Sequence, residues 1–338
     1  MAGNDRTAPP PLPDELQLEV TGACNLRCPM CLVSHRPALP RSASLPFARF
    51  RELVDGLPGL RRLTLQGLGE PLLCPDLVRM VRYAADRGVV VGFNSNGLLL
   101  TRARASELVE AGLGWLHVSV DAPTAEAYAG IRRGGDLARL EPNVRALMEV
   151  VRGAGDAAPE VQLVAVAMRG TLPLLPDLVR LTHDWGVDDL WVQGLSHSFA
   201  DTDPAGGYAG LREFVAREAL WTDDPPPELA PALAEARRLA DALGVRLRLP
   251  SPPRPPRPRA PGEPGCDWPW RSAYVTHRGE VQPCCMIMGA DRATLGDVGT
   301  EAFADVWTGA AYQGFRGALM GDEPPDVCRG CSAHRRVF

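Results

Sequence analysis

Residues 24–31 read Cys24-Asn25-Leu26-Arg27-Cys28-Pro29-Met30-Cys31, directly behind a short apolar run at Gln17–Val20. That run has the length and composition of a strand, so the three cysteines fall on the loop at its C-terminal end. In folds built from parallel strands, this is the end where ligands bind. Three thiolates within eight residues wrap one corner of an iron–sulfur cube. A [4Fe–4S] cluster has four irons, so three protein ligands leave one iron open to a chelating small molecule. The same logic separates catalytic from structural metal sites.

Downstream, the strand rhythm repeats. Candidate strands lie at Leu63–Gln66, Val89–Phe93, Leu116–Val120, Gln162–Ala167 and Leu190–Val192. Helical patterns fall at Phe47–Leu57, Asp76–Arg87, Ala103–Ala111, Leu137–Arg152 and Leu174–Trp185. Gly88, Gly112 and Gly186 each follow a periodic run, where helix-ending glycines belong. Six strand–helix alternations predict an α/β fold, a partial (β/α)6 TIM-like barrel with its site at the C-terminal strand ends. The expected boundaries are a disordered Pro-rich tail at 1–14, the barrel at 15–249, a Pro-rich linker at 250–264 and a small cysteine-bearing module at 265–338. Within the barrel, residues 194–227 break the rhythm with Gly206-Gly207 and the acids Asp201, Asp203, Asp223 and Asp224. They read as an insertion over the barrel mouth, followed by a helix near Glu228–Leu243. The linker holds too much proline to pack as a helix or central strand, which makes it a semi-rigid spacer. A Pro-rich ligand for a partner is the alternative reading of it.

The chain of 338 residues is long enough for one large α/β domain plus a small one. A net charge of -5 gives no support to a nucleic-acid-binding surface. No segment approaches 18 consecutive apolar residues, so no membrane span is expected. The N-terminus lacks a basic start followed by an apolar run, so it does not read as a secretory signal. The expected location is cytoplasmic, where thiols stay reduced. Nine cysteines, at 24, 28, 31, 74, 266, 284, 285, 328 and 331, bunch toward the two ends of the chain. An odd, bunched set fits metal or cluster ligation better than a disulfide framework.

The C-x3-C-x2-C spacing resembles the radical S-adenosylmethionine superfamily. That resemblance implies a [4Fe–4S] cluster on Cys24, Cys28 and Cys31, with the amino and carboxylate groups of S-adenosylmethionine chelating the fourth iron. It further implies reductive cleavage to a 5′-deoxyadenosyl radical, which takes a hydrogen atom from the substrate. Met30 matches the apolar position against the adenine. Gln66-Gly67-Leu68-Gly69-Glu70-Pro71 resembles the family's GGEP motif, with Leu68 in place of a glycine. There Gly67 and Gly69 would meet the methionine ammonium, helped by the charge of Glu70. Asn94-Ser95-Asn96-Gly97 resembles the N-T-N-G loop, which brings in Asn94 and Asn96 as cofactor contacts. Val118-Ser119-Val120-Asp121 resembles the V-S-x-D element, with Ser119 toward the ribose or carboxylate and Asp121 beside it. Ile131-Arg132-Arg133-Gly134-Gly135 resembles the I-R-G-G segment, whose arginine would pair with the methionine carboxylate. Arg132 is preferred over Arg133 for that role.

At the far end, Cys266-x12-Gly279-x4-Cys284 is followed by Cys328-x2-Cys331. The stretch Tyr274–Gln282 reads as a hairpin around Arg278-Gly279. Trp307 and Phe315 lie in a helical region that returns the chain to the last two cysteines. This pattern resembles the SPASM/Twitch auxiliary-cluster modules. Only seven residues follow Cys331 and none is cysteine, which favours the shorter Twitch form. Cys266, Cys284, Cys328 and Cys331 would ligate one auxiliary [4Fe–4S] cluster. Cys285 is an alternative ligand, and a zinc ribbon is the alternative site. Cys74 reads as a buried small hydrophobe.

Within this subgroup the chain resembles the 2-deoxy-scyllo-inosamine dehydrogenase-like enzymes in size and cysteine layout. That implies a small-molecule substrate of sugar, cyclitol or nucleoside type and an oxidoreductase role in natural-product biosynthesis. The alternative is a peptide-modifying maturase or epimerase. Flavodoxin or ferredoxin is the implied electron donor. Trp191, Gln193 and His197 are candidates to line the substrate pocket, and Trp268 and Trp270 to lie near the auxiliary cluster, although core packing is the plainer account of each. The general base is not identifiable in the sequence.

Overall fold

The computed structural model describes residues 9–35, 43–195, 207–222, 224–252, 263–287, 292–331 and 334. One sheet organises them. Its strands are β1 (Glu15–Leu18), β2 (Arg62–Thr64), β3 (Val90–Ser95), β4 (Trp115–Ser119), β5 (Glu160–Ala167), β6 (Asp189–Gly194), β7 (Arg246–Arg248), β8 (Ser272–Val275), β9 (Glu280–Gln282) and β10 (Gly296–Asp297). They are ordered β10-β9-β8-β1-β2-β3-β4-β5-β6-β7. Every pairing from β8 to β7 is parallel. The β8–β9 and β9–β10 pairs are antiparallel. The helices in chain order are α1 (Leu32–His35), α2 (Phe47–Asp55), α3 (Leu77–Ala85), α4 (Arg102–Glu110), α5 (Ala125–Ile131), α6 (Leu137–Gly153), α7 (Leu175–Asp184), α8 (Ala209–Glu218), α9 (Leu229–Leu243), α10 (Trp268–Arg271), α11 (Phe303–Thr308), α12 (Ala310–Met320) and α13 (Asp326–Arg329).

Strand side chains alternate between faces. One row, including Leu16, Leu18, Leu63, Val91, Phe93, Leu116, Val118, Leu163 and Leu190, is buried in the main core cluster. The other row is polar and aromatic, with Gln17, Asn94, His117, Ser119, Trp191 and Gln193 on the opposite face. Gly88, Gly112 and Gly186 stand at φ of +75°, +85° and +77°, as helix-ending glycines should. Gly92 in β3 serves a different need, because a Cβ there would stand 2.3 Å from Trp115. Gly92→Ala is therefore expected to destabilise the fold by about 1–3 kcal/mol through overpacking. An unchanged urea midpoint would show that Trp115 can move aside.

The structure refines the expected organisation in three places. Residues 9–14 are not a disordered tail: the Trp307 indole N–H donates to the carbonyls of Pro10 and Pro11 at 3.3 and 3.0 Å. Prolines lack an N–H but keep a strong acceptor, and this indole uses it. The C-terminal region continues the barrel sheet. Its β8 pairs along β1, satisfying backbone groups that an exposed sheet edge would leave open. A seventh parallel strand, β7, flanks β6; Arg246-Leu247-Arg248 carries too little apolar sequence to announce it. Residues 253–262 of the expected linker lie outside the described residues. Among the described residues, no helix is long and apolar enough to cross a membrane.

Candidate active site

The loop leaving β1 is wound tightly by its own backbone. Cys31 N–H donates to the Cys28 carbonyl at 3.0 Å, and Ser34 Oγ donates to the same oxygen at 2.7 Å. Leu26 N–H points at Cys24 Sγ at 3.4 Å. The Arg27 amide donates to the Arg133 carbonyl at 2.9 Å, tying the loop to the segment after α5. The three thiols lie near enough to feel one another's charge. Burial pushes Cys31 up to about 11, with Cys28 and Cys24 adding to the rise. Burial also raises Cys28, against the pull of Arg132, whose Nη1 stands 4.0 Å from its sulfur.

The loops after β2, β3 and β4 converge on this one. Gly69 is required by the cysteine loop itself, since a Cβ there would lie 2.0 Å from the Thr21 carbonyl oxygen. Gly67 is crowded by the Glu19 side chain at 2.3 Å. Glu70 is buried and fully engaged: it accepts from Ser95 Oγ at 2.7 Å, Leu72 N–H at 3.1 Å and Asn96 N–H at 2.8 Å. Burial raises its carboxyl above the usual range. Asn96 Nδ2 donates to Asn25 Oδ1 at 2.8 Å, so the third loop reaches the cysteine motif directly. Glu70 and Asn96 thus fasten three loops together. Asn94 and Ser119 stand on the inner row of β3 and β4, and Met30 packs half-buried against the core.

Of the two arginines, Arg132 turns inward and Arg133 stays exposed. Arg132 forms an ion pair with the buried Asp121, which also accepts the Val166 amide at 2.8 Å. Tyr128 was not singled out in the sequence. It lies four residues before Arg132 on α5, is completely buried, and its hydroxyl has no partner among the described residues. Burial pushes that hydroxyl up, and Arg132, Asp121, Cys28 and Glu70 all lie within range of its charge. The i, i+4 spacing to Arg132 was the signal available for it.

The five C-terminal thiols also gather. Cys284 feels Cys285, Cys328 and Cys331, and Cys328 feels Cys331 and Cys266. Burial pushes Cys328 up to about 12 and raises Cys284 well above the ordinary thiol range. Cys285 is pushed to about 12 by burial, with Cys331 and Cys266 near it, so it belongs to the same gathering. Trp268 and Trp270 follow Cys266, on α10, each with a buried indole N–H that has no partner among the described residues. Cys74 is 1% exposed in the core and distinct from both groups. Trp191 and Gln193 sit on β6; His197 and the acids Asp201, Asp203 and Asp223 lie outside the described residues. In the expected insertion, α8 and the preceding Tyr208 form a small apolar cluster. Tyr208 and Leu211 meet Leu32, the residue after Cys31, with Leu68 packed against them. The described part of this segment thus packs on the loops that follow β1 and β2.

The donor chemistry suits iron–sulfur clusters, which take cysteine thiolates. The buried, forked Arg132 suits a carboxylate. Comparison with known proteins agrees. Residues 18–166 match the Radical SAM superfamily, and residues 266–332 match the SPASM iron–sulfur cluster-binding domain. The chain is 27% identical over 319 residues to the tungsten-containing aldehyde ferredoxin oxidoreductase cofactor-modifying protein of Pyrococcus furiosus, covering 89% of this chain and 82% of that one. It is 30% identical over 332 residues to the PqqA peptide cyclase of a Methylobacterium species, covering 96% and 80%. In fold it is similar to Streptococcus suis SuiB bound to S-adenosylmethionine, with a TM-score of 0.66 at 14% identity over 90% of this chain and 68% of that one. The chain belongs to the radical SAM superfamily, among its members with a SPASM domain, and is a radical SAM enzyme that uses [4Fe–4S] clusters and S-adenosylmethionine.

Proposed function

We propose that this enzyme takes a hydrogen atom from a small hydroxylated molecule of sugar, cyclitol or nucleoside type and oxidises it. The observation that carries this reading is the run of uncharged polar side chains on the inner row of the central strands. Gln17, Asn94, Ser119 and Gln193 present amides and a hydroxyl on the inner row. Below them, burial pushes His117 down to about 4, reinforced by Arg248 and Arg62, so its imidazole is neutral near pH 7. Neutral donors and acceptors match hydroxyl groups better than they match ions. The cofactor-modifying relative from Pyrococcus furiosus points toward small molecules as well.

Cys24, Cys28 and Cys31 would hold the first cluster; Cys266, Cys284, Cys328 and Cys331 would hold a single auxiliary one. When bound, the first cluster and S-adenosylmethionine supply a 5′-deoxyadenosyl radical, and the auxiliary cluster supplies an electron acceptor. The chain's own residues orient the cofactor. The loop carrying Gly67 and Gly69 would receive the methionine ammonium, and Arg132, held by Asp121, would receive the carboxylate. Ser119 would meet the ribose or carboxylate, and Met30 the adenine. Glu70, Asn94 and Asn96 hold the surrounding loops and the inner wall. Flavodoxin or ferredoxin would donate the electron, in the cytoplasm.

A second reading, a peptide substrate, is favoured by the 30% identity to the PqqA peptide cyclase over nearly the whole chain. Deuterium transfer decides between them. Anaerobic protein incubated with perdeuterated aminocyclitols and nucleosides should yield deuterated 5′-deoxyadenosine. Label arriving only from deuterated peptides would overturn the small-molecule reading. Cys328→Ala should lose about four of about eight irons while still cleaving S-adenosylmethionine. Loss of cleavage together with those irons would contradict an acceptor role confined to the second site.

A further inference from the structure

Glu19 follows β1 directly and is 3% exposed. Its Oε2 accepts the Leu68 amide at 2.7 Å and the Tyr274 hydroxyl at 2.8 Å. Its Oε1 accepts the His277 amide at 3.4 Å and pairs with His277 Nδ1. Three segments therefore meet at one carboxylate: the glycine-bearing loop after β2, strand β8, and the turn that follows β8. Tyr274 is fully buried, and both Cys31 and Cys285 lie within range of its hydroxyl's charge. One cysteine of each group thus lies near this junction.

The packing leaves the junction little freedom. A Cβ on Gly67 would stand 2.3 Å from Glu19 Oε2, and one on Gly22 would stand 2.6 Å from the His277 ring. His277 is 8% exposed, and its Nε2 has no partner among the described residues, so Glu19 is the side chain that anchors the imidazole. The loop at 66–70 carries two glycines, and glycine loses the most conformational freedom on ordering. A loop already held in place binds its ligand without meeting that cost at the moment of binding.

We propose that Glu19, held by Tyr274 and His277, is a positioning residue through which the C-terminal module sets the S-adenosylmethionine-binding loop. This rests on the reading that residues 66–70 receive the cofactor. Cofactor affinity then depends on module residues that do not touch the cofactor. The Leu68 bond has a charged acceptor, and its loss is worth about tenfold in affinity.

The test uses full-length reconstituted protein under anaerobic conditions, as wild type, Glu19→Gln, Tyr274→Phe and Gly69→Ala. Titration calorimetry with S-adenosylmethionine gives affinities, and amide exchange over residues 66–70 is followed in cofactor-free samples. Glu19→Gln leaves one acceptor oxygen where two now serve Leu68, Tyr274 and His277, so part of this set is lost and binding should weaken by up to about tenfold. Tyr274→Phe should weaken it by a smaller factor. Both should speed exchange in the loop while the urea midpoint of Tyr274→Phe stays close to wild type. Unchanged affinity and unchanged loop exchange in both variants would overturn the proposal. Wild-type affinity in Gly69→Ala would instead sink the assignment of the loop to the cofactor, which separates the two failures.

Discussion

Replacing Cys24, Cys28 and Cys31 together by alanine should abolish formation of 5′-deoxyadenosine from S-adenosylmethionine under dithionite. It should also lower the iron content from about eight to about four per chain. The loop is held by backbone bonds, Cys31 N–H to Cys28 O and Glu70 N–H to Ala23 O at 2.7 Å, so removing the sulfurs leaves its path in place. The irons retained at the C-terminal cysteines then serve as an internal control for folding. Mössbauer spectra of both proteins, with product analysis by mass spectrometry, make the measurement. Undiminished 5′-deoxyadenosine from the triple variant would refute the assignment of these cysteines.

The second large effect is on stability. Asp121 is wholly inaccessible and the Arg132 side chain is 14% exposed, so their ion pair sits away from water. Burial works against the charge on Arg132, yet Asp121 and Cys28 outweigh it and hold the guanidinium above the ordinary arginine range. Arg132→Met strands a buried carboxylate without its partner, at an expected loss of about 3–5 kcal/mol. Asp121→Asn should lose less, because an amide oxygen at the same place still accepts the Val166 N–H at 2.8 Å. Urea denaturation of the metal-free chains measures both. A loss below about 1 kcal/mol in Arg132→Met would mean that water reaches Asp121 and that the pair behaves as an exposed one.

Much of the site could be read from order along the chain. Each motif follows a strand, and each strand ends at the same edge of a parallel sheet, so motifs far apart in sequence had to meet. The spacing of Cys24, Cys28 and Cys31 needs only one loop and therefore stands in the sequence alone. The choice between Arg132 and Arg133 does not. Neighbouring residues at a helix end point in different directions, and only the packed structure shows which one turns inward to Asp121. Glu70 illustrates a different limit. Its place in a glycine-rich motif suggests a charge offered to a ligand, whereas its oxygens are occupied by Ser95, Asn96 and Leu72.

Apart from Tyr128, whose signal was local, the residues missed are those whose partners lie far away in the chain. Glu19 looks like one polar residue at the end of a strand, and its role becomes visible only when Tyr274 and His277 arrive from more than 250 residues downstream. The hairpin of β8 and β9 is local and was legible, whereas the same distance hid its parallel neighbour: Ser272–Val275 pair with β1 only where β1 leaves an open edge. The tail near Pro10 and Pro11 reads as unstructured for the same reason, since its partner is Trp307.

By itself the sequence determined the superfamily, the two cysteine groups and the alternating strand–helix plan, because each rests on local spacing or local periodicity. Only the tertiary structure decided that the strands of the C-terminal module continue the barrel sheet, that Arg132 faces Asp121, and that Glu19 joins the two ends of the chain. Those outcomes depend on satisfying buried charges and unpaired sheet edges. Such demands arise only when distant segments are brought out of water together.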